Sequence, residues 1–352
     1  MAEIKGIPYA DKETKTTKVF PTDLFPRADR DGERGILVLD EVTSCSSQLR
    51  TAVYQLLDAK RSIGEYKLPD GWMVVALGNG PEDGGNFQGV EGAFLSRCAC
   101  YRMEPSARDW VKWARKNDVN PSVIAFIEQN PDKLHTLTQE KWEETDGACL
   151  FASPRGWTLA AKMLSVYEGD EILKQSLKED EKQMFISDII AGYVGSDVSS
   201  LFGTMYCLKE KMVSVIDILD GKNPKISEEY DTGLKYLMAE SLAQALNREL
   251  KGADVMGDLT KEQMTKILNV VNWTMGLKDA SGRTSNDVII TIASSLHSIP
   301  VFGDIIVNVG EIDLTSMKFG NGDKAFCEKV EKDILEYTDF CISHGELLGF
   351  VC

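Results

Sequence analysis

The sequence has few of the features that mark membrane, secreted or zinc-binding proteins. It contains no run of about 18 apolar residues and no charged N-terminal region followed by an apolar one. Histidine is scarce, with three in 352 residues, and none of the eight cysteines forms a Cys-x-x-Cys pair. We therefore expect a cytoplasmic protein with reduced thiols, without a membrane span, a secretory signal, a disulfide framework or a zinc site.

Positive charge is also in short supply. The chain carries 39 Lys and Arg residues against 55 Asp and Glu residues, for a formal net charge of −16. This charge opposes non-specific attraction to nucleic acid phosphates and to anionic membrane surfaces, so a nucleic-acid motor is the least favoured class of function. The apolar fraction of 43% is ordinary for a globular protein, and the length allows two or three domains with their own cores.

The most informative stretch is Arg34 to Glu41. Four apolar residues follow Gly35 and are closed by the carboxylates Asp40 and Glu41. This pattern predicts a strand that is buried on both faces and delivers its acids to the carboxyl edge of a parallel sheet, where ligands of open α/β sheets bind. In a nucleotide hydrolase the first carboxylate holds Mg²⁺ through water and the second polarises an attacking water. The alternative is a strand that runs into a solvated loop.

Further elements follow from periodicity and turn residues. Apolar residues at helical spacing predict a helix over 47–59, and a Pro-Asp-Gly turn at 69–71 predicts a hairpin-like unit between 61–68 and 72–77. A short helix over 90–96 and a third strand over 98–103 are expected next. The fold class is therefore α/β in this part of the chain.

From Ser106 onward the alternation of strand and helix stops. Ser106, Asn120 and Ser153 each precede a helical segment as N-cap residues, with a proline directly after the last two. We predict an α/β core over 1–105, a helical lid over 106–215 and a mainly helical extension over 216–352. Thr260 opens a capping box in the extension. Two apolar segments there, 288–292 and 301–309, fit either strands or buried helices, and His297 and His344 stand isolated.

Several motifs in order resemble the MoxR-type AAA+ ATPases of bacteria and phages. The motifs are Ile-Leu-Val-Leu-Asp-Glu at 36–41, Gly-Glu-Tyr-Lys-Leu-Pro-Asp-Gly-Trp at 64–72, Asn79, Leu-Ser-Arg at 95–97 and Ser-Pro-Arg-Gly-Trp at 153–157. The resemblance covers roughly residues 3 to 200. It implies a partial AAA+ P-loop-type sheet, followed by an all-helical lid and a mainly helical C-terminal extension.

The resemblance also implies roles for individual residues. Asp40 and Glu41 resemble the Walker B pair, with Asp40 serving Mg²⁺ through water and Glu41 priming the hydrolytic water. Asn79 resembles sensor 1, which positions that water or the γ-phosphate. Arg97 resembles the arginine finger, which reaches the nucleotide of the next subunit, and Arg155 resembles sensor 2, which contacts the bound nucleotide. A finger that acts on the next subunit requires a ring, so a homo-hexamer is implied.

In this family ATP and Mg²⁺ are the cofactors, and ATP hydrolysis drives chaperone-like remodelling of a protein client. MoxR relatives commonly work with proteins that carry von Willebrand A domains, so such a client is implied here. Each residue also has a plain alternative. Asn79 before glycine fits a turn residue, and Arg97 and Arg155 fit surface cations at helix ends. We expect the tryptophans at 110, 113, 142 and 157 to form lid core.

One family motif is missing. The sequence contains no Gly-x-x-x-x-Gly-Lys-Ser/Thr, the Walker A loop that binds the triphosphate in AAA+ proteins. In the family's sheet order of 5-1-4-3-2, Met1 falls in the middle of the domain, after the P-loop strand and its helix. We therefore expect either an N-terminally shortened ATPase or a catalytically inactive AAA+ module that binds partners.

Overall fold

The computed structural model describes residues 6–20, 22–81, 83, 89–90, 92–145, 149–226, 232–278, 284–311, 313–320 and 322–344. Within these residues the chain is mixed α/β and mostly helical. It divides into two compact units. The first comprises Met1–Glu104 with Leu137–Cys149, and the second comprises Pro105–Thr136 with Leu150–Cys352.

Strands and helices are numbered in chain order. The strands are β1 (Ile7–Asp11), β2 (Thr16–Phe20), β3 (Arg34–Leu39), β4 (Ser62–Ile63), β5 (Tyr66–Lys67) and β6 (Gly71–Ala76). The helices are α1 (Ala28–Asp31), α2 (Ser47–Leu57), α3 (Gly92–Leu95), α4 (Ala107–Lys116), α5 (Pro121–Gln129), α6 (Gln139–Glu144), α7 (Pro154–Gly169), α8 (Glu171–Ser176), α9 (Glu179–Val194), α10 (Ser196–Cys207), α11 (Val215–Leu219), α12 (Thr232–Glu249), α13 (Lys261–Met275), α14 (Asn286–Leu296), α15 (Pro300–Asn308) and α16 (Lys324–Ser343).

The strand pair β3 and β6 forms the parallel sheet of the first unit. The two strands pair in register from Arg34 opposite Gly71 to Leu39 opposite Ala76, and α2 lies in the connection between them. The predicted hairpin between 61–68 and 72–77 is therefore wrong. A smaller antiparallel hairpin, β4 with β5, turns at Gly64, whose φ of 58° suits glycine. The chain then passes on to β6, which joins β3.

Within the described residues, only one face of this sheet is covered. Leu37 and Val74 on the inner face pack against the small core that α2 contributes to. On the outer face Ile36 is 59% exposed, Val38 50% and Met73 56%. The prediction that β3 is buried on both faces is thus wrong, because a strand is covered on its second face only where another layer packs there.

The expected third strand over 98–103 does not form among the described residues. This segment is irregular, and Tyr101 and Met103 are largely exposed. A strand is stable only when a neighbouring strand pairs with its backbone, and no described strand lies beside this one. The predicted helix over 47–59 does form and is α2.

The second unit contains two apolar cores. We call the core built from α4, α5, α7, α9 and α10 the first helical core, and the core built from α11 to α16 the second helical core. Trp110 and Trp157 lie in the first helical core as expected, but Trp113 is exposed, contrary to the expectation of a lid-core residue. The side chain of Trp142 lies outside the described residues.

Local capping signals place several helices of this unit. The side chain of Ser106 accepts the backbone N–H of Asp109 at 3.2 Å, and Asn120 accepts that of Ser122 at 2.9 Å. Thr260 forms the predicted capping box with Gln263. These contacts satisfy N–H groups that the first turn of a helix leaves unpaired, so the predicted helix starts are confirmed.

The two ambiguous C-terminal segments are helical. Residues 288–292 lie within α14 and residues 301–308 within α15, and both helices contribute apolar side chains to the second helical core. Among the described residues no single helix is long and apolar enough to cross a membrane. The consecutive helices α14 and α15 reach that length and apolarity only together, with a bend of 110° between them.

Candidate functional site

The candidate site lies where β3 and β6 end. Asp40 and Glu41 directly follow β3, and Asn79 comes three residues after β6. The backbone N–H of Leu77 donates to the carbonyl of Leu39 at 2.9 Å, and the N–H of Val42 donates to the carbonyl of Leu77 at 2.9 Å. These two bonds join the loops at the carboxyl edge of the sheet, so the acidic pair and Asn79 share one edge.

A side-chain contact holds the two loops against each other. A Cβ placed on Gly78 would come within 2.6 Å of Cγ2 of Thr43, so glycine is required for this close approach. Thr43 is buried, and its hydroxyl has no hydrogen-bond partner among the described residues. Thr43 belongs to no motif and is not predicted from the sequence. The signal that could have found it is the glycine directly before Asn79, which indicates a close neighbour.

The two carboxylates are arranged by a strained backbone. Glu41 has a φ of 56°, a left-handed conformation that is uncommon for a residue with a side chain. Oδ1 of Asp40 accepts the backbone N–H of Glu41 at 3.0 Å, and the hydroxyl of Ser44 donates to Oε2 of Glu41 at 3.0 Å. Both acidic residues are exposed. Backbone strain of this kind is concentrated at functional sites, because other contacts must maintain it.

Asn79 is exposed in the loop after β6. The loop is shaped by the next carboxylate, since Oδ2 of Asp83 accepts the backbone N–H of Gly80 at 2.6 Å. The amide of Asn79 supplies both a donor and an acceptor at the same sheet edge as Asp40 and Glu41. This is the grouping that the sequence predicts.

Arg97 lies elsewhere in the first unit. It lines a cavity of about 480 Å³ together with residues from the end of α2 and the start of β6. Its Nε lies 2.5 Å from Oδ1 of Asp58, and its Nη1 donates to the carbonyl of Ala93. Because β6 runs from this cavity towards Asn79, Arg97 sits toward the opposite end of the strand from the acidic pair. Within this unit, therefore, Arg97 does not share a sheet edge with the candidate site.

Arg155 belongs to the second unit. It is exposed in the first turn of α7, which begins with Pro154 after the N-cap residue Ser153. The hydroxyl oxygen of Ser153 accepts the backbone N–H of Gly156 at 3.1 Å. The first helical turn therefore presents the Arg155 guanidinium to solvent at the positive end of the helix dipole, an arrangement that favours anions.

The residues present fit Mg²⁺ only in its water-retaining mode. In the described part of the chain, no three His, Cys, Asp or Glu side chains come together as a metal cage. Mg²⁺ usually keeps several waters and is held by one or two carboxylates together with substrate phosphates, which suits an exposed Asp40. No loop in the sequence offers the Walker A pattern for those phosphates.

Comparison with protein-family models, with curated proteins and with solved structures finds no match for this chain.

Proposed function

We propose that residues 34–97 carry the hydrolytic part of a MoxR-like AAA+ site on a partial P-loop-type sheet. The reaction is Mg-dependent ATP hydrolysis, and it drives chaperone-like remodelling of a protein partner in the cytoplasm. The observation that carries the proposal is the shared sheet edge of Asp40, Glu41 and Asn79, at the ends of two adjacent parallel strands.

Each residue has a defined task in this proposal. Asp40 would hold Mg²⁺ through its water shell, and Glu41 would accept a proton from the attacking water. Asn79 would orient that water by hydrogen bonding. The left-handed backbone at Glu41 supports this assignment, because backbone strain of this kind is concentrated at functional sites.

The two arginines would contact the phosphates of the nucleotide and offset their negative charge. Arg97 would serve the nucleotide of a neighbouring subunit in a homo-hexamer, which agrees with its position away from the acidic pair of its own unit. To do so it must exchange its pairing with Asp58 for the phosphate. Arg155, at the start of α7, would contact the nucleotide as sensor 2. The client would be a protein with a von Willebrand A domain.

A second candidate is an inactive AAA+ module that binds a partner. Two observations favour it. The sequence contains no Walker A loop, so the backbone amide nest and the lysine for the triphosphate are not supplied by these residues. The outer face of the β3 and β6 pair exposes Ile36, Val38 and Met73, an apolar face that another layer would cover in a complete parallel sheet.

The test compares ATP turnover of the chain with that of the Glu41→Gln variant, in the presence of Mg²⁺. If Glu41 primes the water, turnover falls by about 10²-fold or more, while binding of a fluorescent ATP analogue is retained. Glu65→Gln, which removes an exposed carboxylate of the same unit in the β4 to β5 turn, serves as the control and leaves turnover unchanged. Absence of both turnover and nucleotide binding in the parent chain would favour the inactive module.

A further inference from the structure

A cluster of four polar side chains lies inside the second unit. Nη2 of Arg115 is 2.6 Å from Oε1 of Glu128 and 2.5 Å from Oε1 of Glu240. Nε of Arg115 donates to Oε2 of Glu240 at 3.0 Å, and the hydroxyl of Ser295 donates to Oε1 of the same carboxylate. We call these residues, Arg115, Glu128, Glu240 and Ser295, the Arg115 cluster.

The Arg115 cluster connects the two helical cores of this unit. Arg115 on α4 and Glu128 on α5 come from helices of the first helical core. Glu240 on α12 and Ser295 on α14 come from helices of the second. The helices α5 and α12 pack directly on each other, and the side-chain amide of Gln244 on α12 donates to the carbonyl of Val119 at 2.8 Å. The boundary between the cores is therefore held by polar bonds as well as apolar contacts.

The charges of the Arg115 cluster do not balance when both acids are ionised. Two carboxylates face one guanidinium, and Glu240 is only 2% exposed. A buried unpaired negative charge is costly, so one of the two acids is favoured in its protonated form. Burial and the charge of Glu240 raise the pKa of Glu128 to about 7, although Arg115 acts in the opposite direction. Burial alone lowers the pKa of Arg115, but the charges of Glu240 and Glu128 raise it above its ordinary value.

We propose that the Arg115 cluster is a proton-dependent latch, in which a proton on Glu128, opposite Glu240, holds the two helical cores together and its loss loosens them. In the protonated form the carboxyl of Glu128 donates to the carboxylate of Glu240, so that both acids and the guanidinium are paired. After deprotonation the two carboxylates repel each other across the boundary between α5 and α12, and one guanidinium compensates only one of them.

Other charges near the Arg115 cluster do not replace this proton. The charged groups that face Glu128 are Arg115 from α4 and Glu240 from α12, and α14 contributes the hydroxyl of Ser295. The other charged residues of α4, including Lys116 beside the same cavity, are exposed. On α12, Lys235 pairs with Asp287, Glu249 pairs with Lys266, and Arg248 is exposed. Asp132 and Lys133, which follow α5, pair with each other, and Asp197 on α10 is exposed.

The direction of the pH effect follows from the pKa of Glu128. It lies at about 7 in the folded chain against the ordinary value of 4.5, so the closed form binds the proton more tightly than the open form. The stabilisation of the closed form by this proton is complete below pH 4.5 and is lost as the pH rises through about 7. Between pH 6 and pH 8 the equilibrium constant for opening should increase about tenfold.

The test is amide hydrogen exchange of α5 and α12 in the full chain, corrected for the intrinsic effect of pH on exchange. We expect protection of these helices to fall about tenfold from pH 6 to pH 8 in the parent chain. In Glu128→Gln the neutral amide imitates the protonated carboxyl, so protection at pH 8 should stay near its pH 6 value. Glu331→Gln, at an exposed position of α16, should behave as the parent does.

A second variant tests the same proton without altering Glu128. Glu240→Gln removes the charge that raises the pKa of Glu128, so the loss of protection should move to lower pH. A parent chain with equal protection at pH 6 and pH 8 would overturn the proposal. So would a Glu128→Gln variant that keeps the pH response of the parent, or a Glu240→Gln variant in which the response does not move.

Discussion

At the scale of single residues, Glu41 combines a left-handed backbone conformation with the carboxylate that we propose activates the attacking water. Its φ of 56° places a side chain in the left-handed region, at the turn where the chain leaves β3. Conformations of this kind cost on the order of 1 kcal/mol for residues other than glycine. The bond from Ser44 to the carboxylate is exposed and therefore contributes little to compensate the cost.

Replacing Glu41 by glycine should therefore stabilise the first unit. We expect Glu41→Gly to increase its free energy of unfolding by about 1 kcal/mol, because glycine adopts positive φ without steric conflict. Hydrogen exchange of the β3 and β6 amides at increasing denaturant concentration would measure the change. The control is Glu41→Ala, which removes the same carboxylate but keeps the strain. Equal stability of the glycine and alanine variants would show that the backbone at this position is not strained.

The sequence could predict Asp40, Glu41 and Asn79 as a group because they lie shortly after the ends of two apolar strands. It could not predict Thr43, since burial of that hydroxyl arises from the approach of Gly78 in a different loop. The Arg115 cluster could not be predicted from the sequence either. Arg115 and Glu240 are 125 positions apart in the chain. No local sequence pattern indicates that two helices from different cores bring them together.

At the scale of elements, helix starts were the most predictable feature. Ser106, Asn120, Ser153 and Thr260 each cap a helix as predicted, because a cap depends on residues only two or three positions apart. Strand pairing was not predictable in the same way. The sequence suggested that 72–77 pairs with its neighbour in the chain, but β6 pairs with β3, which lies more than 30 residues earlier. The pairing of β6 with β3 depends on which apolar strand faces α2 can cover.

The cap at Ser153 gives a direct test of helix α7. Ser153→Ala removes the oxygen that accepts the N–H of Gly156, and we expect the free energy of unfolding of the second unit to fall by about 1 kcal/mol. Ser200→Ala, at an exposed position inside α10, should change this free energy by a few tenths of a kcal/mol at most. If both variants lost the same free energy of unfolding, the effect would not come from capping.

At the scale of the whole molecule, the two units differ in how much apolar surface they bury. The first unit has a small core around Phe25, Val53, Leu56, Ile63 and Leu68, and it leaves the outer face of its parallel sheet exposed. The second unit contains the two helical cores, in which many more side chains are fully buried. Because burial of apolar surface is the main stabilising contribution, the first unit should be the less stable of the two.

We therefore expect two transitions when the chain is heated in a calorimeter, with the first unit unfolding at the lower temperature. Leu56→Ala leaves a cavity in the small core and should cost the first unit about 2 to 5 kcal/mol, so the lower transition should move down or vanish while the upper one stays. Ile267→Ala, at a fully buried position of α13, should move only the upper transition. A single transition that both variants shift equally would mean that the units unfold together, and the small core would then depend on the larger ones for its stability.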